Sequence, residues 1–299
     1  MAKEEKGGGA YVPLKMFLAG GIAGASARTA SAPLDRIKLL FQVQAMASSG
    51  MTSTAYTGVY QSLRKIYTEE GVLAFWKGNF TNVVRVFPYS ACQLMANDLY
   101  KRLLSREGGT LSVSTRLIAG AFAGMTATAV THPLDTVRLR LAMPKHPYTG
   151  LGNAMVTVVR KEGYAALYKG LGPTLVGIAP YAALNFATYD LVKEQFYGNG
   201  RSKAESPITN LVLGGITGCF AATCCYPLDT IRRRMQMKGS TYKSQVDAFR
   251  TIWRSEGYRG FYRGWAANIL KVIPQNSIRF VAYEVGKSAL GLKKGKTDT

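Results

Sequence analysis

The residues in this chain with the clearest chemistry are acids and bases that lie three residues apart, directly after a proline. The pattern occurs three times, as Pro33, Asp35 and Lys38, as Pro133, Asp135 and Arg138, and as Pro227, Asp229 and Arg232. Residues three apart on an α-helix share a face, and proline kinks or ends a helix. Each copy is therefore predicted to present one acid and one base together at a proline kink.

A second motif recurs with the same period of roughly a hundred residues. In each copy a Glu-Gly pair precedes an aromatic residue, a base and a glycine: Glu70-Gly71 and Trp76-Lys77-Gly78, Glu162-Gly163 and Tyr168-Lys169-Gly170, Glu256-Gly257 and Tyr262-Arg263-Gly264. Two independent motifs with one period indicate three tandem repeats. We place them at residues 11–107, 111–199 and 205–292.

The elements that must position these residues are helices. Each repeat is predicted to contain two long helices with a short amphipathic helix between them. The first long helices are expected over 12–42, 112–142 and 207–237, the short ones over 58–69, 150–161 and 243–255, and the second long ones over 79–104, 171–196 and 266–290. Gly-x-x-x-Gly pairs precede each motif proline (Gly20 and Gly24, Gly120 and Gly124, Gly214 and Gly218) and predict close helix packing.

Charged residues also recur near the ends of the second long helices: Asp98 and Lys101, Asp190 and Lys193, Glu284 and Lys287. An ionised side chain in lipid costs about 3 kcal/mol, whereas a whole fold is stable by only about 5–15 kcal/mol. These groups therefore cannot face lipid unpaired. Either they pair around a water-filled cavity in a six-helix membrane bundle, which we favour, or the chain is a soluble basic helical-repeat scaffold.

The composition narrows the possible functions. A net charge of +21 suggests an anionic partner. The four cysteines have no C-x-x-C spacing and there are two histidines, so no metal site and no cofactor are predicted. The sequence has no nucleophile–base constellation, no Walker A motif and no nucleic-acid motif. We therefore predict neither an enzyme nor a nucleic-acid-binding protein, which leaves an anionic membrane surface or a polyanionic small molecule as the partner.

These motifs resemble those of the mitochondrial carrier family over about residues 11–290. The resemblance implies an all-α membrane protein of six transmembrane helices with pseudo-three-fold symmetry and short amphipathic helices on the matrix or stromal side. It also implies alternating access around a central site, with Pro33, Pro133 and Pro227 as hinges. A functional monomer in contact with membrane lipids, cardiolipin among them, is expected.

The resemblance further implies two gates built from pairs between repeats. On the matrix side the pairs are Asp35 with Arg138, Asp135 with Arg232, and Asp229 with Lys38. Glutamines at Gln42 and Gln236 should brace this gate, whereas Ala142 stands at that position in the second repeat. On the opposite side the pairs are Asp98 with Lys193, Asp190 with Lys287, and Glu284 with Lys101.

Cations in the middle of the helices are the candidates for substrate contacts. Arg85 and Lys271 occupy matching places in the first and third repeats, where the second repeat has Gly177-Ile178. Arginine suits phosphate oxygens, and Gly177 leaves room for a flat ring near Tyr181. By resemblance to the adenine-nucleotide and coenzyme A branch of the family, the substrate-binding set is Arg28, Arg85, Gly177, Ile178, Tyr181, Arg233, Lys271 and Arg279.

The most similar type within the family is the plant thylakoid and plastid ADP/ATP carrier, through residues 111–142, residues 238–249 and Arg279. The run Arg232-Arg233-Arg234-Met235-Gln236-Met237 departs from the Arg-Arg-Arg-Met-Met-Met signature of the mitochondrial ADP/ATP exchanger. The resemblance implies an antiporter of ADP, ATP or a related nucleotide, with a coenzyme A or ATP-Mg/phosphate carrier as the alternative. It places the protein in the mitochondrial inner membrane or in a chloroplast envelope or thylakoid membrane.

Overall fold

A computed structural model describes residues 11–47, 56, 58–104, 112–144, 146–197, 207–240 and 242–289. The predicted repeat boundaries at residues 107, 111, 199, 205 and 292 lie outside the described residues. The described chain is a bundle of helices in the order α1 (Tyr11–Ala47), α2 (Val59–Glu70), α3 (Asn79–Val84), α4 (Val86–Leu104), α5 (Val113–Leu141), α6 (Leu151–Glu162), α7 (Leu171–Tyr197), α8 (Pro207–Gln236), α9 (Gln245–Phe261) and α10 (Trp265–Ala289).

The predicted alternation of long and short helices is present in all three repeats. Two features differ from the sequence prediction. Short 3₁₀ helices, Val72–Trp76 and Tyr164–Tyr168, follow α2 and α6, and the second long helix of the first repeat is divided at Arg85 into α3 and α4. Hydrophobic periodicity predicts long helices well, but it carries little signal for a single 3₁₀ turn.

The three motif prolines lie inside long helices rather than at their ends. A proline removes the backbone donor for the carbonyl four residues earlier. At Pro33 that carbonyl belongs to Thr29, and the indole Nε1 of Trp76 donates to it at 2.9 Å. In the third repeat the Trp265 indole donates to the hydroxyl of Thr223, four residues before Pro227, also at 2.9 Å. In two repeats, a tryptophan in or next to the second motif thus bonds to the residue four before the motif proline.

Long helices pair as α1 with α10, α4 with α5, and α7 with α8. The first long helix of each repeat buries a row of residues spaced four apart. These residues are mostly small: Ala19, Ala23 and Ala27 on α1, Ala119, Ala123 and Ala127 on α5, and Leu213, Thr217 and Ala221 on α8. Residues four apart lie on one helix face. On α1 the row reaches α10, where a Cβ on Gly286 would lie 3.4 Å from that of Ala19.

The prediction that the Gly-x-x-x-Gly pairs mediate close helix packing is wrong for most of them. A Cβ built on Gly20, Gly120, Gly214 or Gly218 would meet no described atom within 4 Å, and those on Gly24 and Gly124 would only reach ordinary contact distance. Gly120, Gly124, Gly214 and Gly218 instead line the central cavity. Their physical role in the structure is to leave space beside the helix axis.

The glycine that ends each aromatic-base-glycine motif is required by both its conformation and its contacts. Gly78, Gly170 and Gly264 have φ of 79°, 83° and 84°, which is the left-handed region that favours glycine. A Cβ at these positions would lie 2.8, 2.8 and 2.9 Å from the carbonyl oxygens of Arg138, Arg232 and Lys38. Each glycine therefore docks one repeat onto the backbone of a motif base in the next.

Two helical segments of the described chain are long and apolar enough to cross a membrane by length and composition alone, Thr115–Leu141 and Tyr164–Gln195. The other described long helices do not meet this measure of length and hydropathy. Several charged residues of the long helices face the interior of the bundle, as described next.

Candidate functional site

A cavity of about 1480 Å³ runs through the middle of the bundle. All three repeats contribute to its wall. Its lining includes the cations Arg28, Lys38, Arg85, Arg116, Arg232 and Lys271, the acids Asp190 and Asp229, and the neutral residues Gly177, Ile178, Tyr181, Asn185 and Cys225. The volume exceeds the roughly 300–1,000 Å³ of a typical small-molecule site, so the cavity has room for an organic ligand. The excess of cations in its lining suits an anion.

Three ion pairs between repeats cross the floor of this cavity. Arg138 Nη2 lies 3.1 Å from Asp35 Oδ2, Lys38 Nζ lies 2.6 Å from Asp229 Oδ2, and Arg232 Nη2 bonds to Asp135 Oδ2. These are the three pairs expected on the matrix side. The side chain of Asp135 is 1% exposed, so its charge must be balanced by its partners rather than by water.

Each of these three acids also holds a second cation, which the sequence analysis did not foresee. Arg85 Nη1 lies 2.9 Å from Asp135 Oδ1, and Lys271 Nζ lies 2.8 Å from Asp35 Oδ1. Arg233 Nε lies 3.5 Å from Asp229 Oδ1 on the same helix. Arg85 and Lys271 thus add two further links between repeats, because each reaches an acid of a neighbouring repeat.

The glutamines differ in what they contact. Gln42 Nε2 donates to Asp229 Oδ2 at 3.2 Å and to Thr230 Oγ1 at 3.4 Å, as a brace of the Asp229 pair would. Gln236 Oε1 instead accepts from Arg233 Nη1 at 3.3 Å, and its Nε2 lies 3.5 Å from His132 Nε2. Among the described contacts Gln236 does not reach Asp135, whose oxygens already face Arg232 and Arg85. Ala142 is buried in the corresponding place.

A second ring of charged contacts lies beside the ion pairs of the floor, and sequence reasoning missed it. Buried Arg36, Arg140 and Arg234 bind the glutamates of the Glu-Gly motifs, Glu70, Glu162 and Glu256. Each arginine Nε also donates to a backbone oxygen of another repeat, on Ala142 at 3.0 Å, on Gln236 at 3.3 Å and on Gln42 at 3.0 Å. The recurrent Glu was a usable signal, but Arg36 follows its Asp directly whereas Arg140 and Arg234 come five residues after theirs.

The predicted substrate-binding residues fall into two groups. Arg28, Arg85, Gly177, Ile178, Tyr181 and Lys271 line the cavity. Arg233 is not part of the lining and contacts Asp229 and Gln236, and Arg279 on α10 is exposed. The structure therefore brings six of the eight residues together around one space.

At the opposite end of the bundle the acids are open to solvent. Asp98 and Asp190 are exposed and Lys101 is half-buried, and Asp190 belongs to the cavity lining. The side chains of Glu284 and Lys287 lie outside the described part of the structure. The end of the cavity near Asp190 is thus far from the crossed ion pairs of the floor.

Outside the long helices, Glu70 is the acid with the clearest electrostatic shift. Burial alone would raise its pKa, but hydrogen bonds from Lys77 at 2.5 Å and from Arg36 at 2.8 and 2.9 Å outweigh this and lower the pKa below the ordinary value of 4.5. The carboxylate is therefore held ionised between α2 and α1. No group of three His, Cys, Asp or Glu side chains in the described chain could hold a metal ion.

A bundle of three two-helix repeats around a polar cavity, with a motif base and acid joining each pair of repeats, defines a membrane carrier. The family model described as "Mitochondrial carrier protein" matches residues 10–108, 109–200 and 203–294. The chain belongs to the mitochondrial carrier family. Members of this family are transporters.

Several curated proteins are similar along most of this chain. It is 46% identical over 272 residues to the probable envelope ADP,ATP carrier protein of Arabidopsis thaliana chloroplasts, covering 91% of this chain and 70% of that protein. It is 44% identical over 275 residues to the thylakoid ADP,ATP carrier protein of the same plant, covering 92% and 65%. It is 39% identical over 313 residues to the mitochondrial adenine nucleotide transporter ADNT1 of A. thaliana, covering 93% and 88%. The chain thus spans about two thirds of the two plastid relatives.

Proposed function

We propose that this protein is an alternating-access antiporter of adenine nucleotides in an organelle membrane. The observation that carries the proposal is the cavity itself, where Arg28, Arg85 and Lys271 face an aromatic and glycine-bearing wall on α7. Cations of this kind bind phosphates, and a wall with Gly177 and Tyr181 accommodates a flat base. The names of the related carriers agree with this substrate class.

Arg85 and Lys271 connect substrate binding to the gate. In the structure each of them binds a floor carboxylate, at 2.9 and 2.8 Å. Phosphate groups entering the cavity compete with these carboxylates for the same cations. When Arg85 and Lys271 turn to the phosphates, two of the links between repeats are lost, and the floor is held by Asp35–Arg138, Asp135–Arg232 and Asp229–Lys38 alone. A ligand can shift a conformational equilibrium only through such differential contacts.

When the ion pairs of the floor break, new ion pairs at the opposite end of the bundle must offset the lost stability. Asp98, Asp190 and Glu284 would pair there with Lys193, Lys287 and Lys101 as the cavity closes above the nucleotide. Pro33, Pro133 and Pro227 would absorb the change as hinges within their helices. Salt bridges suit such a cycle because the desolvation of a buried pair can cost as much free energy as its attraction gains, so that no pair locks the protein in one state.

The same proposal extends to the membrane in which the protein lies, the lipids that contact it and its action as a monomer. The named relatives come from chloroplast envelope, thylakoid and mitochondria, so the mitochondrial inner membrane and the plastid membranes are the compartments to test. Lipids, including cardiolipin, would contact the outer faces of the helices, and one chain would suffice for transport because all three repeats of the cavity come from it.

Exchange in liposomes tests the function directly. Purified full-length protein is reconstituted with internal ATP, and uptake of radiolabelled ADP, ATP, the phosphosulfate nucleotide, coenzyme A and ATP-Mg is measured. We expect exchange of at least one free adenine nucleotide at a rate that depends on internal ATP. Exchange of coenzyme A or ATP-Mg alone would replace the proposal by its alternatives, and extraction of the protein from membranes by carbonate without detergent would favour the soluble scaffold.

A further inference from the structure

The α7 wall of the cavity differs in charge from the rest of the lining. The six described cations of the lining come from α1, from the junction of α3 and α4, from α5, from α8 and from α10. On α7 the one charged lining residue is the acid Asp190. If the proposed function holds, the phosphates of a bound nucleotide face the cationic walls and the base faces α7.

Asn185 stands on this wall in line with the residues already assigned to the base. Gly177, Tyr181 and Asn185 are spaced four apart on α7, and all three line the cavity. Residues with this spacing lie on one helix face, and each step of four advances about 6 Å along the axis. The Asn185 amide thus follows the Tyr181 ring by one turn, on the side away from the floor.

The amide of Asn185 has an unused hydrogen-bonding group. Its Oδ1 is buried and accepts no hydrogen bond from any described residue. The other described amide side chains of the lining, which are those of Gln93, Asn268, Gln275 and Asn276, have no such shielded and unmatched oxygen. A polar atom buried without a partner costs free energy, and a ligand that supplies a donor removes this cost.

Adenine has the complementary edge. It presents its N6 amine as a donor beside the N7 acceptor, and an asparagine amide can pair with both at once. Pairing with the base requires a turn about the Cβ–Cγ bond of Asn185, a soft torsion, that exposes Oδ1 to the cavity. Hypoxanthine and guanine carry an oxygen in place of the amine, so either orientation of the amide would leave one acceptor facing another.

We propose that Asn185 is the residue that selects adenine over 6-oxopurines, with Oδ1 accepting from N6 and Nδ2 donating to N7. This assignment rests on the proposed function and adds to it the group that reads the base. Tyr181 and Gly177 provide the surface against which the ring lies, but neither can distinguish an amine from a carbonyl oxygen on that ring.

Competition experiments test the assignment. Uptake of labelled ATP into liposomes is inhibited with unlabelled ATP, ITP or GTP, for the wild-type protein and for Asn185→Leu, which keeps the number and branching of the side-chain heavy atoms. We expect ITP and GTP to compete weakly with the wild type. In Asn185→Leu the ratio of the ITP to the ATP inhibition constant should fall by roughly 5- to 150-fold, through weaker binding of ATP.

Asn276→Leu is the matched control, because it removes a cavity-lining amide from α10 and should keep the wild-type ratio. Asn185→Asp keeps the acceptor for N6 and loses the donor for N7, so an ITP-to-ATP ratio between those of the wild type and Asn185→Leu is expected. If thermal denaturation shows that Asn185→Leu does not fold, Asn185→Asp tests the assignment in its place. An unchanged ratio in both Asn185 variants, or a wild type that takes ITP and ATP equally, would overturn the assignment alone. Absence of all nucleotide exchange by a folded wild type would overturn the proposed function as well.

Discussion

Arg85 and Lys271 each bind a floor carboxylate and also line the cavity. Arg85 also lies over the ring of Tyr89 at 5.1 Å and donates to Thr131 Oγ1 at 3.3 Å. Its guanidinium can therefore move between partners without leaving a polar environment. In the proposed function, Arg85 and Lys271 each link two repeats and also bind the substrate phosphates.

The first prediction concerns Arg85. In Arg85→Ala we expect nucleotide exchange to fall by roughly 30-fold or more, because a buried cation with charged partners is lost and Asp135 keeps only Arg232. Arg64→Ala removes the same charge from an exposed position on α2 and should exchange normally. Initial exchange rates in liposomes, with thermal denaturation to confirm folding, provide the measurement. Near-normal exchange by a folded Arg85→Ala protein would show that the phosphates bind elsewhere.

At the scale of the elements, the short helices α2, α6 and α9 are tied to the long helices by the arginine–glutamate ring. Arg36 is 2% exposed, and its Nη1 also donates to the carbonyl of Ala74 at 2.7 Å. Both oxygens of Glu70 accept from this guanidinium. A single carboxylate therefore fixes α2 to α1 and, through Arg36, to Ala142 of the second repeat.

Replacing Glu70 should weaken this connection in a pH-dependent manner. Because the pKa of Glu70 is lowered, its carboxylate adds stability above pH 4.5, and this stability is lost as the pH falls through the lower pKa of the folded protein. Glu70→Gln should reduce the free energy of unfolding at pH 7 by roughly 3 kcal/mol and remove this part of the acid dependence. Exposed Glu69→Gln is the control, and thermal denaturation between pH 7 and pH 3.5 is the measurement; equal curves for both variants would contradict the role of Glu70.

Most of the helices and the three pairs of the floor could be predicted because each signal occurs three times. The contacts of Lys271 with Asp35 and of Arg85 with Asp135 could not be predicted. The sequence alone does not distinguish a cation that binds substrate from one that binds an acid of another repeat. The arginine–glutamate ring could not be predicted as a repeat, because Arg36 follows its motif Asp by one residue whereas Arg140 and Arg234 follow theirs by five. Gly-x-x-x-Gly was misleading because the same residue type serves close packing and open space, and only the structure distinguishes them.

On the scale of the whole molecule, the proposed function requires the floor to separate the cavity from one side of the membrane. Cys225 lines the cavity one turn before Asp229 on α8. In Asp229→Asn the side chain of Lys38, which is 13% exposed, loses its anionic partner, whereas the asparagine oxygen can still accept from Gln42. Breaking a buried pair in this way destabilises the closed floor.

We therefore expect Asp229→Asn to make Cys225 accessible from the gate side. In protein whose remaining cysteines, Cys92, Cys219 and Cys224, are replaced by serine, a membrane-impermeant thiol reagent applied from that side should label Cys225 about tenfold faster than in the parent. Asp190→Asn removes an acid at the other end of the cavity and should leave the rate unchanged. Equal labelling of the parent and Asp229→Asn would mean that Asp229 does not hold the floor shut.

The docking of Gly78, Gly170 and Gly264 onto the following repeat has a topological consequence. The third repeat meets the first through the same glycine-to-carbonyl contact by which the first meets the second, and α10 lies against α1 as α4 lies against α5. The three units form a closed cycle in which the packing of α10 against α1 corresponds to that of α4 against α5 and of α7 against α8. A circularly permuted gene that begins at the second repeat and ends with the first would encode the same set of neighbours.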